Sequence, residues 1–115
     1  MTQHASLSPE RWSAFSVDDR ILMISNELNR GRGLFAPEDR SRLGNSYERA
    51  LRLTDLTVEV EGNTNLRREL LRWRDLVAEL YIRPEAEPKA HLEALRALLL
   101  LRPRAAEQIR YLFRD

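Results

Sequence analysis

"NLRRELLRWRDLVAELY", residues 65–81, decides the fold of this chain. Leu66, Leu70, Trp73, Val77 and Leu80 recur at intervals of four, three, four and three residues, which is one face of an α-helix and not a strand. Asn65 is placed to cap the start of this helix, and Pro84 closes it, because a proline ring clashes with the preceding turn. At about 100° per residue, Arg68, Arg72, Asp75 and Glu79 point away from the apolar stripe. Acids and bases share that outer face and can pair along it, each pair contributing a few tenths of a kcal/mol. Arg67 and Arg74 flank the stripe, where their stems can cover buried surface while the charged heads stay wet. A face of mixed sign grips phosphate poorly, and no basic stripe interleaved with aromatics emerges.

The same periodicity extends to both sides. Upstream, Pro37 opens a helix with Glu38 and Asp39 in its first turn, where acids suit the helix dipole. Leu43, Tyr47, Ala50, Thr54 and Val58 form one stripe on it, and Leu53, Leu56 and Val60 form another, so this helix expects two neighbours. "LTVEVE", residues 56–61, alternates as a strand would, but it has no second strand to pair with and reads as helix up to Gly62. Ser16 and Asp19 resemble a capping box, followed by Val17, Ile21, Ile24 and Leu28 on one face and a stop near Gly31 or Gly33. Ser8 and Pro9 form an N-cap and N1 pair, so Trp12 and Phe15 ride on a short docked turn. Downstream, a helix begins near Pro88 and carries Leu92, Leu95, Leu98 and Leu99. Pro103 kinks or stops it, with Ile109, Leu112 and Phe113 on a terminal helix beyond.

These elements predict an all-α fold, an antiparallel helical bundle of four main helices with short helices at either end. Residues 1–15 are expected to be a flexible N-terminal segment with a short docked helix, and residues 16–115 a single bundle domain. A chain of 115 residues can bury a self-standing core. It has no cysteine, which removes disulfides, thiolate metal sites and cysteine nucleophiles together. Its start, "MTQHASLSPE", lacks the basic then apolar pattern of a signal peptide, and no apolar run approaches the roughly 18 residues that span a bilayer. A cytoplasmic protein without membrane contact is the expectation. Net charge is +1, so no global field draws the chain to nucleic acid. Lys89 is the only lysine, an arginine bias most simply explained by GC-rich coding.

Chemical signals are few. His91 has no second histidine near it and reads as a surface or half-buried helix residue, so no metal site is expected. "RGRGLF", residues 30–35, lacks the preceding strand and the spacing of a phosphate loop and reads as a flexible turn. Tyr47 and Trp73 read as core residues whose polar tips reach an edge. No cofactor and no enzymatic activity are expected. A second, narrower apolar strip, Leu71, Ala78 and Ile82, lies off the main face of the third helix. It reads either as a helix flanked on two sides within its own bundle or as a groove or dimer surface. With Leu53, Leu56 and Val60 it makes the candidate surface for a helical partner or a second copy. The alternative is a small RNA-binding or ribosome-associated protein using Arg67, Arg68, Arg72 and Arg74.

The order of segments, "SVDDRILM", "YERALRLTDL", "NLRRELLRWRDLVAELY" and "HLEALRALLLLRPRAAEQI", resembles that of the bacterial flagellin export chaperones over residues 16–110. Leu22 and Met23 match the leucine and methionine rich opening of an early helix in that family. Arg49 and Ala50 match a basic residue before alanine in the second, and Trp73 and Asp75 match an aspartate after the central aromatic of the third. The family's tyrosine-rich N-terminal segment and its tyrosine, aspartate, glycine triplet are missing here. The resemblance implies an antiparallel four-helix bundle that holds an aggregation-prone secreted subunit by laying partner helices along apolar grooves.

Overall fold

The structure, a computed structural model, describes residues 7–113. Of the segment expected to be flexible, residues 1–6 lie outside the described residues, and the short docked helix is α1. The chain forms α1 (Pro9–Ser13), α2 (Val17–Gly31), a 3-10 turn (Pro37–Asp39), α3 (Arg40–Val60), α4 (Thr64–Ile82), α5 (Pro88–Leu99), α6 (Pro103–Ala106) and α7 (Ile109–Leu112). No strand occurs among the described residues, and residues 56–60 are helical. The fold is all-α.

Local chemistry sets most of the helix ends. Ser8 Oγ accepts the backbone N–H of Arg11, and Ser16 Oγ that of Asp19, so both serines cap as expected. The cap of α4 is Asn63, not Asn65: Asn63 Oδ1 accepts the N–H of Leu66 at 3.0 Å, which puts Asn65 inside the first turn. Several C-terminal ends are closed by guanidinium groups instead of glycine. Arg20, itself buried, donates to the carbonyls of Trp12 and Ser13 at the end of α1. Arg40 donates to the carbonyls of Tyr81 and Arg83 at 2.8 and 2.6 Å, closing α4, and Arg32 donates to that of Leu112 at 2.6 Å, closing α7. Carbonyls at helix ends lack the full set of partners that a continuing helix would supply, and a forked cation adds what is missing.

In space, α2 packs on α3, α3 on α4, α4 on α5, and α5 returns to α2. Side-chain links show α3 and α4, and likewise α2 and α5, running in opposite directions. Tyr81 donates to Glu48 and Arg74 to Asp55, so α4 descends as α3 rises. The end of α2 meets the start of α5 through Leu28 and His91, while Asp18 near its start accepts from Arg102 beyond the far end of α5 at 2.9 Å. The core comprises Ile21, Ile24, Leu28, Leu43, Ala50, Leu53, Leu70, Trp73, Val77, Leu95, Leu98 and Leu99, with Trp12 of α1 and Ala105 of α6 sealing its edge. The Trp12 indole N–H donates to Thr57 Oγ1 at 2.8 Å, which docks the short N-terminal helix against α3. α2 also buries Glu27, whose carboxylate meets Arg49 at 3.0 Å and Arg30 at 3.3 Å. Among the described residues no buried side-chain nitrogen or oxygen lacks a hydrogen-bond partner.

Candidate functional site

α4 is the element with both a core face and an unpartnered outer face. Leu70, Trp73, Val77 and Leu80 are buried, and Leu66 is packed against the core. The Trp73 indole N–H donates to the Ala94 carbonyl at 2.7 Å, fixing the rotation of α4 against α5. With that rotation set, Leu71 is 47% exposed and Ile82 77% exposed, and Ala78 between them is half-buried. The strip read from the sequence on this helix is therefore brought to the surface.

Its supposed counterpart on α3 is not. Leu53 is 0% exposed and Leu56 8%, and both belong to the core, while Val60 is half-buried against it. The cause is that α3 is covered from within the chain by α2, α4 and α1 together. Leu53 thus has no outward surface to offer a partner and Leu56 little, while Leu71 and Ile82 lie open.

Two of the four arginines of α4 are matched with acids, and so is Arg83 just beyond its end. Arg74 makes a forked contact with Asp55 at 2.6 and 3.1 Å, and Arg72 meets Glu69 at 3.1 Å. Arg83 lies 3.6 Å from Glu79 and 3.7 Å from Glu87. Arg67 and Arg68 are exposed. The outer face is mixed in sign, although the partner of Arg72 is Glu69 and not Asp75 or Glu79.

Between α4 and α5 lies a groove that sequence reading did not single out. α5 turns Ala90, Ala94 and Ala97 toward α4 at spacings of four and three, and their short side chains leave a cleft of about 360 Å³ floored by Leu76 and Leu80 as well. A second hollow of about 240 Å³, lined by Trp73, Leu76, Ala97 and Leu101, continues it toward the other end. Leu76 is 47% exposed and borders both. Glu69, Arg72, Glu79, Arg83, Glu87 and Glu93 form the rim. The available signal was the alanine spacing on α5 facing the stripe that contains Trp73.

Another correction concerns His91, which is 0% exposed. Its Nε2 lies 2.7 Å from the Leu28 carbonyl and its Nδ1 2.7 Å from the Tyr47 hydroxyl. A carbonyl only accepts, so Nε2 carries the proton, Nδ1 accepts, and Tyr47 donates. Phe35 packs edge-on against the imidazole at 5.0 Å. Gly31 makes room for it, since a Cβ there would sit 2.8 Å from His91 Cε1. Gly31 is thus a packing position at the end of α2 as well as part of a turn. Tyr47 is 1% exposed, so its hydroxyl ends in the interior and not at an edge.

Burial pushes the His91 imidazole below its ordinary 6.5, the Leu28 contact opposes this, and Arg32 adds to it. Burial likewise pushes the Tyr47 phenol up to about 12. The unfolded chain takes up a proton on this histidine at about 6.5, before the folded chain does, so acid favours unfolding. Stability should be fully present above about pH 6.5 and decline as pH falls through that value and through the lower folded one. Melting temperatures taken at intervals between pH 7.5 and 5 measure this, with His91→Gln expected to flatten the slope. An equal slope in the variant would assign the effect elsewhere.

Among the described residues no group of three or more histidines, aspartates or glutamates is placed to hold a metal ion. No helix among them is long and apolar enough to cross a membrane. Set against protein-family models, curated proteins and solved structures, the chain finds no match in any of the three.

Proposed function

We propose that this protein is a non-enzymatic binding module that receives an α-helical segment of a protein partner in the groove between α4 and α5. One observation carries the reading. Leu76, 47% exposed, stands where two adjoining hollows between α4 and α5 meet, over a floor of Trp73, Leu80, Ala90, Ala94 and Ala97. An exposed large apolar side chain over a concave apolar floor is how a surface made for a partner differs from scattered exposure. An amphipathic helix laid in such a groove anchors through residues spaced three and four apart. The likeness to flagellin export chaperones implies the same kind of occupant.

The forked pairing of Arg74 with Asp55 and the acids Glu69, Asp75 and Glu79 set among the arginines speak against the RNA-binding alternative, because a face of mixed sign grips phosphate poorly. The test is affinity capture from the native host with the wild-type chain and with Leu76→Glu. One polypeptide is expected in stoichiometric yield with the wild type and absent with the variant, whose melting temperature should be unchanged because Leu76 is half open to water. Recovery of nucleic acid in place of a polypeptide would overturn the reading.

A further inference from the structure

The groove uses one flank of α4, and the helix turns a different face, Leu71, Asp75, Ala78 and Ile82, directly outward. We propose that this outward face pairs with its own copy on a second chain, with the two α4 helices antiparallel about a two-fold axis. The inference goes beyond the groove reading and does not depend on it.

The spacing of these residues, four, three and four, is that of a coiled-coil seam. An antiparallel pair of such seams puts Leu71 of each copy against Ile82 of the other and leaves Ala78 opposite Asp75, where a small side chain gives the carboxylate access to water. Charge decides the orientation. The first half of the exposed surface carries Arg67, Arg68 and Arg72 with one acid, Glu69. The second half carries Asp75 and Glu79, with Glu85 and one base, Arg83, just beyond the helix end, so the halves remain opposite in net sign. Arg72 and Glu79 lie on the same flank of the seam. A two-fold axis brings like flanks together in reversed order, so each Arg72 meets the Glu79 of the other copy, twice per dimer. In the same register each Arg68 approaches the other copy's Glu85. A parallel pair would set the arginine-rich first halves side by side and bring the two Asp75 carboxylates together at the seam. The face is thus self-complementary only in the antiparallel sense, as a two-fold contact requires.

The existing partners of these groups do not prevent the exchange. Arg72 with Glu69 and Glu79 with Arg83 are exposed pairs of the kind that contribute little. A 19-residue helix is about 28 Å long. One such seam buries less than the roughly 800 Å² per partner of a standard interface. The dimer is therefore a dissociating one, expected to form in the micromolar range and above.

Sedimentation equilibrium across a concentration series tests this on the whole chain. The wild type should show a monomer–dimer equilibrium. Arg72→Glu and Glu79→Arg should each weaken it at least about tenfold, since each sets like charges together twice. The doubly exchanged R72E/E79R chain should regain it, and so should an equimolar mixture of the two single variants. Asp75→Leu, which makes the strip continuous, should tighten it about tenfold or more. All these positions are solvent-exposed, and circular dichroism verifies that each variant keeps its helices. Leu76→Glu should leave the dimer intact, so loss of groove binding and loss of pairing are read apart. A monomer at every concentration in both the wild type and D75L overturns the proposal. So does a dimer indifferent to charge reversal, and so does a dimer broken by L76E, which would place the second copy in the groove.

Discussion

Replacing Trp73 by alanine is expected to lower the unfolding free energy by about 3–5 kcal/mol, whereas Arg68→Ala should change it by less than about 0.5. Trp73 is 3% exposed and wedged where α4 meets α5, so truncation opens a cavity that neighbouring helices cannot collapse into without breaking their own packing. It also removes the indole N–H that holds the Ala94 carbonyl. Arg68 lies on the outer face of the same helix with its side chain in water. Urea titrations of the two variants measure the difference. Similar losses would mean that α4 is rotated from the orientation described above.

His91→Leu is the second large effect, on the order of 2–4 kcal/mol, although the substitution keeps side-chain volume nearly constant. The loss comes from polarity and not from size. Leucine leaves the Tyr47 hydroxyl and the Leu28 carbonyl buried without the imidazole that satisfies both. Adding Tyr47→Phe removes one orphan, so the double variant should be more stable than the sum of the two single losses implies. A double-mutant cycle by chemical denaturation gives the coupling. Strict additivity would show that the phenol and the imidazole do not act as one network.

Periodicity made the helices legible, and its silences are equally physical. On α4 the five apolar positions at helical spacing all face or border the core. The spacing reports which way side chains must point, and the rotation of a helix follows from it. It does not report whose atoms cover an apolar face. Leu53 and Leu56 look like surplus apolar surface until Trp12, some 45 residues upstream of its partner Thr57, is seen to dock α1 on the same helix. Leu71 and Ile82 carry the same signal, yet they stay 47% and 77% exposed. His91 was hidden for a related reason. It stands four residues before Leu95 and seven before Leu98 on the core side of α5, but a polar residue there is stable only with partners. Those partners lie 44 and 63 residues away, and the space for the ring depends on Gly31. The groove along α5 required knowing which helix Ala90, Ala94 and Ala97 face, which is a tertiary fact.

The guanidinium closures at the helix ends bear on the order in which the domain comes apart. A guanidinium keeps its charge throughout the range in which an imidazole changes state. Arg40 therefore continues to bind the last carbonyls of α4 in mild acid, and α3 and α4 stay latched to each other. His91 joins the start of α5 to the end of α2 and to α3, and its contact with Tyr47 is the one that weakens, because a protonated Nδ1 no longer accepts the phenol proton while Nε2–H goes on donating to the Leu28 carbonyl. The opposite end of that seam is held by Arg102 on Asp18. The cost of charging a buried imidazole in acid therefore falls on the junction of α2, α3 and α5 around His91, away from the helix ends that the guanidinium groups hold.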